Sequence, residues 1–243
     1  MYRNIIGPRN GFRLLMYHSI SNGVEDDPEN FFTVNPNLFK KQIKILKQSN
    51  YLKIVNLQDG LKLVTNKKLQ LSITFDDGYA DNLYNAAPLM LSNNIPFTVF
   101  VVSNFVKKNV KDYLSQNELI ELSNLPGVTI GSHGLTHTPF TDLSTKELIN
   151  ELTYSKKYLE DKIGKEVKYI SYPHGKINYN LLKYIKETGY TIGGTSNFNI
   201  NNKIDESLLL NRNVITALDS ENYFRQKIEG SCDWFNLIDK IKN

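Results

Sequence analysis

A parallel α/β protein of barrel type is the fold class the sequence predicts. Two observations carry that prediction. Short apolar runs alternate with amphipathic stretches about seven times, the pattern of repeated strand–helix units. No Pro-, Gly- or Ser-rich linker, internal repeat or low-complexity tract divides the 243 residues. One domain over residues 1–243 is therefore the simplest reading, with an open doubly wound sheet as the alternative architecture.

The strand-like runs are residues 12–17, 52–57, 69–75, 97–102, 128–130, 167–172, 190–194 and 208–215. In the third, Leu69, Leu71, Ile73 and Phe75 alternate with Gln70, Ser72 and Thr74, the period of two expected of a strand. Helical stretches fall between the runs. Phe39, Ile43 and Leu46 repeat at helical spacing after Pro36. Ser115 and Glu118 form a capping box ahead of Leu119 and Leu122. Ser144 and Glu147 repeat it ahead of Leu148, Leu152, Leu159 and Ile163, with Gly164 as the C-terminal stop. A further helix over 180–188 ends at Gly189.

Composition excludes several classes. Apolar residues are 40% and charged residues 22%, too apolar for a disordered chain. Folding at this length removes roughly 75% of the unfolded surface. The net charge of +4 comes from 29 basic against 25 acidic side chains. Only five of the basic residues are Arg, and the Lys are scattered, so no nucleic-acid partner is expected. The one cysteine, Cys232, excludes an intramolecular disulfide and a Cys-rich zinc site. Near Trp234 it reads as a small packed residue. Neither GxGxxG nor a P-loop is present, so no nucleotide site is expected. No run of about eighteen apolar residues exists, so no transmembrane segment is expected. The N-terminus has no apolar core and is broken by Gly7, Pro8 and Arg9, unlike a signal peptide. A cytoplasmic protein is the expectation, although an exported chain trimmed of its leader would look the same.

Three segments hold most of the metal-capable side chains, each at the C-terminal end of a predicted strand, where α/β barrels build their sites. The first is Thr74-Phe75-Asp76-Asp77-Gly78. Adjacent carboxylates repel unless a cation or a proton separates them. Successive strand residues point oppositely, so one Asp can bind a metal while the other faces a water. The second is Ser132-His133-Gly134-Leu135-Thr136-His137, with two of the chain's four histidines. Gly131, Gly134 and Pro139 argue against a regular helix here; a tight turn could still converge the two rings, the alternative being two separately packed histidines. Two His and one carboxylate suit zinc and leave an open position. The third, Ser171-Tyr172-Pro173-His174-Gly175, presents backbone at a loop; the His174 amide, after Pro173, is a candidate oxyanion donor.

In that order the three motifs resemble the polysaccharide deacetylases, the carbohydrate esterase family 4-like proteins with the NodB homology domain. The similarity runs from about Leu14 to Ile215. The resemblance implies an irregular (β/α) barrel with fewer than eight regular strands. It implies metal-dependent removal of acetyl groups from N-acetylhexosamine units of a polysaccharide or its precursor. Asp77, His133 and His137 then look like ligands of one divalent ion, zinc first among the options, and Asp76 like the base. This chain departs from the family pattern twice. Ser171 stands where an Arg usually supports the base, and no His follows His174 to serve as a late acid. Met16-Tyr17-His18-Ser19-Ile20 resembles the first strand of the exopolysaccharide and biofilm branch, in which an early His is the acid. His18 is thus the expected acid, its pKa held up by nearby carboxylates. Arg212 is the expected partner of Asp76, and Tyr172, Pro173 and His174 are expected in supporting or substrate-contact roles. Two further readings stand beside this one. The substrate could be a lipid-linked or nucleotide-linked sugar inside the cell, or the barrel could be a catalytically inactive glycan-binding domain.

Overall fold

The computed structural model describes residues 10–62, 68–202, 204 and 206–233. The elements run β1 (Phe12–Tyr17), α1 (Pro36–Gln48), β2 (Leu52–Ile54), α2 (Leu57–Lys62), β3 (Leu69–Phe75), α3 (Ala87–Ser92), β4 (Phe97–Val101), α4 (Ser103–Lys107) and α5 (Gln116–Asn124). They continue with β5 (Val128–Ser132), α6 (Thr145–Ile163), β6 (Tyr169–Ser171), α7 (Leu182–Glu187), β7 (Ile192–Gly194), β8 (Asn213–Val214) and α8 (Glu221–Glu229).

All strand pairs are parallel, in the order β7-β6-β5-β4-β3-β1-β8. Strand β2 lies off this path. It pairs with the first half of β3, and β4 pairs with the second half on the same edge. The sheet curls until its ends meet. Gly194 of β7 bridges Leu210, and the same segment runs on into β8, which pairs with β1 through Leu15–Asn213 and Met16–Val214. Gly193 N–H donates to Ser207 O at 2.9 Å and Thr195 N–H to Leu210 O at 2.8 Å. The ring therefore holds seven of the eight strands, an irregular (β/α) barrel, and the open doubly wound alternative is set aside. The run expected at 208–215 is shared between two neighbours, so only Asn213–Val214 is a regular strand.

Both capping boxes form, on Ser115 with Glu118 and on Ser144 with Glu147. Gly164 takes the left-handed conformation that ends α6. Cys232 is buried, as a small packed residue should be. Trp234 and residues 1–9 lie outside the described residues. Among the described residues, no helix is long and apolar enough to cross a membrane.

The alternation on β3 has an unexpected physical meaning. All seven residues are buried. Leu69, Leu71, Ile73 and Phe75 pack outward in the main apolar core with the helices. Gln70, Ser72 and Thr74 take the opposite phase, into the barrel, where Ser72 donates to Val55 O and Thr74 to Leu15 O. The barrel interior is thus partly polar, and Asp76, the next residue in that phase, emerges from it.

Closure depends on a close approach at Gly193. A Cβ there would lie 2.3 Å from the Tyr172 hydroxyl and 2.5 Å from Leu208 O. Gly193→Ala should therefore destabilise the fold by about 1–3 kcal/mol, measured by denaturant unfolding. An unchanged midpoint would show that β7 and the 207–210 segment are not tightly joined.

Candidate active site

The three motif segments meet at one rim because each follows a parallel strand, β3, β5 or β6, on the same side of the barrel. They line a cavity of about 680 Å³ with Met16, His18, Phe32, Tyr79, Phe105, Tyr113, His174 and Arg212.

Asp76 continues the β3 ladder, its N–H donating to Tyr17 O, and is 2% exposed. Its carboxylate meets Arg212 in a two-pronged pair, Nη1 to Oδ1 at 2.7 Å and Nη2 to Oδ2 at 2.8 Å. Ser171 Oγ donates to Oδ2 at 2.9 Å and accepts from Arg212 Nη2 at 2.7 Å. Arg212 Nε donates to Thr195 O, so the guanidinium is itself fixed. Burial pushes the Asp76 carboxyl up, but Arg212 and His133 outweigh it and hold it below its ordinary range. Ser171 stands where the resemblance led one to look for an Arg, and the cation comes instead from Arg212, as expected, 136 residues beyond Asp76.

Asp77 turns the other way. Its φ is 72°, and Gly78 follows at 80°. Asp77 Oδ1 lies 3.3 Å from His133 Nε2 and 3.2 Å from His137 Nε2. Burial pushes this carboxyl up, and the two imidazoles outweigh it and hold it well down. The turn between the histidines converges them, with ring centroids 4.9 Å apart. His133 Nδ1–H donates to Ser171 O at 2.8 Å, which leaves Nε2 as the free lone pair. His137 sits at φ 67°. One ligand atom from each of Asp77, His133 and His137 lies within 4.8 Å of the other two, a group that could hold a metal ion. Asp77 Oδ1 is buried, and the two imidazole nitrogens beside it do not meet it in hydrogen-bond geometry, as fits an atom reserved for a cation.

His18, just past β1, packs tilted against Phe32 with centroids 4.7 Å apart, and its buried Nδ1 has no partner. The sequence expectation for its pKa is corrected here. Burial lowers it, and Asp77 and Asp76 do not make up the difference. Asn82 Nδ2 donates to His18 O, while Asp81 accepts from Ser19 Oγ and Ile20 N–H, clamping the segment. His174, at φ 57°, is exposed at the rim with its ring 4.8 Å from that of His137. Tyr172 lines the cavity, but its hydroxyl donates to Leu208 O at 2.7 Å and so serves the closure. Pro173 is buried in the turn beneath His174 and does not line the cavity.

Sequence reasoning missed the aromatic walls, Phe32 on one side and Tyr79, Phe105 and Tyr113 on the other. It also missed Asp81 and Glu151, which hold loops from a distance. Nothing local marks such residues, because their partners are remote in sequence.

Fold and site together define a barrel hydrolase-like centre with an Asp-His-His group. The polysaccharide deacetylase family profile matches residues 64–193, and the chain belongs to that family. It is 31% identical over 186 residues, 75% of this chain and 63% of the relative, to YxkH of Bacillus subtilis (strain 168), which is named for the same family. It is 31% identical over 176 residues, 67% of this chain and 60% of the relative, to the poly-beta-1,6-N-acetyl-D-glucosamine N-deacetylase of Staphylococcus aureus (strain MRSA252). The match thus spans under two thirds of either relative's length. The fold is also that of Streptococcus pyogenes deacetylase PplD in complex with acetate, at TM-score 0.80 and 24% identity, covering 91% of this chain and 99% of that one.

Removing one partner of a buried ion pair leaves the other charge uncompensated. Arg212→Met should cost about 3–5 kcal/mol in denaturant unfolding, and Asp76→Asn added to it should restore much of the loss. Because the Asp76 pKa is lowered in the folded state, its contribution is present above the unfolded carboxyl pKa and is lost as pH falls through the folded value. Asp76→Asn should therefore flatten the acid limb of stability against pH. An equal cost in the single and double variants would contradict the pairing.

Proposed function

We propose that this chain is a metal-dependent N-deacetylase acting on N-acetylhexosamine units of a glycan, with zinc as the ion. One observation carries the reading. Asp77, His133 and His137 converge on one point, while Asp76, the adjacent residue, is held beside them on Arg212. Family membership and the named activity of the Staphylococcus aureus relative support it.

Asp77, His133 and His137 would hold a divalent ion, which would supply Lewis acidity toward the acetyl carbonyl and lower the pKa of a water. The remaining chemistry belongs to the chain. Asp76 takes a proton from the attacking water, aimed by Arg212 and Ser171. The carbon–nitrogen bond then breaks, acetate leaves, and the sugar amine needs a proton. His18 delivers it. Since burial lowers the His18 pKa, the proton it delivers is taken up during turnover. His174 contacts the sugar at the rim.

The cavity also bears on substrate class. Besides the histidines, Arg212 is the one basic side chain among its described lining residues, and both of its Nη atoms are on Asp76. Asp26 and Asp27 line the same cavity. That charge pattern favours an uncharged glycan over a nucleotide-linked sugar, whose phosphates would face carboxylates.

Incubation of the zinc-loaded protein with N-acetylglucosamine oligomers should release acetate and leave products one acetyl lighter by mass spectrometry. Asp76→Asn should lose roughly two to four orders of magnitude in rate while still binding the ion. Full activity in that variant would overturn the assignment of the base. His18→Ala should lose most of its rate on the amide and far less on an activated acetyl ester, whose leaving group needs no proton. Equal losses on both would show that His18 supports structure rather than the leaving group.

A further inference from the structure

Helix α6 passes behind the metal-capable turn and directs a carboxylate into it. Glu151 is 6% exposed. Its Oε2 accepts from Leu135 N–H at 2.6 Å and from Thr136 N–H at 3.0 Å, and its Oε1 from Thr136 Oγ1 at 2.6 Å. The two N–H groups are consecutive main-chain donors of the short turn that joins His133 to His137. Two successive N–H groups aimed at one point make an anion-binding nest, and the fold fills this one with its own side chain.

The rest of the turn is held as closely. Ser155, one helical turn beyond Glu151, donates to Gly134 O at 2.8 Å. From the other side, the N–H groups of Ser103 and Asn104 in α4 donate to Gly134 O and Leu135 O at 3.2 and 3.0 Å. A Cβ at Gly134, which sits at φ 79°, would lie 3.1 Å from Glu151 Oε2, so the carboxylate approaches as far as glycine allows. The turn delivers His137 in a left-handed conformation that histidine adopts reluctantly, and only over-determined surroundings sustain it.

We propose that Glu151 is a positioning residue that sets the metal affinity of the site by holding the His133–His137 turn closed. It touches neither ligand ring and acts through Leu135 and Thr136. The inference rests on the metal reading above, for this chain's own Asp77, His133 and His137. Replacing the carboxylate by an apolar group leaves two buried N–H groups without acceptors, and the turn opens to find water. Glutamine keeps one carbonyl for the two N–H groups and can turn its amide NH₂ to Thr136 Oγ1, so it should keep the turn.

The test is a titration of chelator-stripped protein with Zn²⁺ against a chromophoric competitor, and with Co²⁺ followed by its visible spectrum. Wild type should bind one ion per chain. Glu151→Leu should bind about 10–100-fold more weakly with an altered Co²⁺ spectrum, and Glu151→Gln should stay near wild type. Leu148→Ala, which opens a core cavity in the same helix, should lower thermal stability and leave the affinity unchanged. Wild-type affinity and spectrum in Glu151→Leu would overturn the proposal, as would an equal weakening in Leu148→Ala. Should Glu151→Leu fail to fold, Thr136→Val removes one donor to the same carboxylate. Weaker binding there supports the role and unchanged binding overturns it. A wild-type protein that takes up no ion would overturn the metal reading itself, and this inference with it.

Discussion

Asp76 and Asp77 leave the end of β3 side by side in a buried site, and two neighbouring carboxylates cannot both stay ionised there without separate counter-charges. The fold meets this constraint by sending them apart. The strand pleat carries Asp76 into the barrel, and a left-handed residue swings Asp77 toward the rim. Arg212 meets the first, and the second faces His133 and His137 across the point where the proposed ion, its counter-charge, would sit. Because Arg212 comes from the segment that closes the ring between β7 and β1, closure of the barrel is part of the site's electrostatics. Gly194 makes this concrete, since a Cβ there would lie 2.6 Å from Arg212 Nε.

Strain is concentrated where the chemistry is proposed. Among the described residues, seven that are not glycine have positive φ, and three of them are Asp77, His137 and His174. The other four are Asn or Asp, which tolerate that region through their own short side chains. Histidine lacks that help, so the two strained histidines depend on neighbours. His137 ends a turn bonded from α4 and α6. His174 stands on the Pro173 turn, closed by Gly175 N–H donating to Tyr172 O at 2.7 Å.

Much of the scaffold was legible because its signals are local. The eight apolar runs each fall on a strand, and the two capping boxes form as written. The ends of the runs were less legible. Residues 55–57 leave β2 because Asn56 starts α2, its Oδ1 accepting from Asp59 N–H. Helix α4, only five residues long, and α8 gave too short or too polar a pattern to stand out. At the site, the motif residues and Arg212 could be singled out because histidines and arginines are scarce in this chain. The pKa of His18 could not, since its direction depends on how deeply β1 and Phe32 bury the ring, against the pull of two carboxylates. Glu151 and Asp81 were invisible for a related reason. Each looks like an ordinary acidic residue until the fold brings main-chain N–H groups to it.

The central claim is that Asp77 binds the ion and Asp76 does not. A crystal structure of the zinc-loaded protein, with the ion located by anomalous scattering at the zinc edge, tests it most directly. The account predicts one ion coordinated by Asp77, His133 Nε2 and His137 Nε2, with Asp76 still paired to Arg212. An ion coordinated by Asp76, or one bound away from the two histidines, would contradict it.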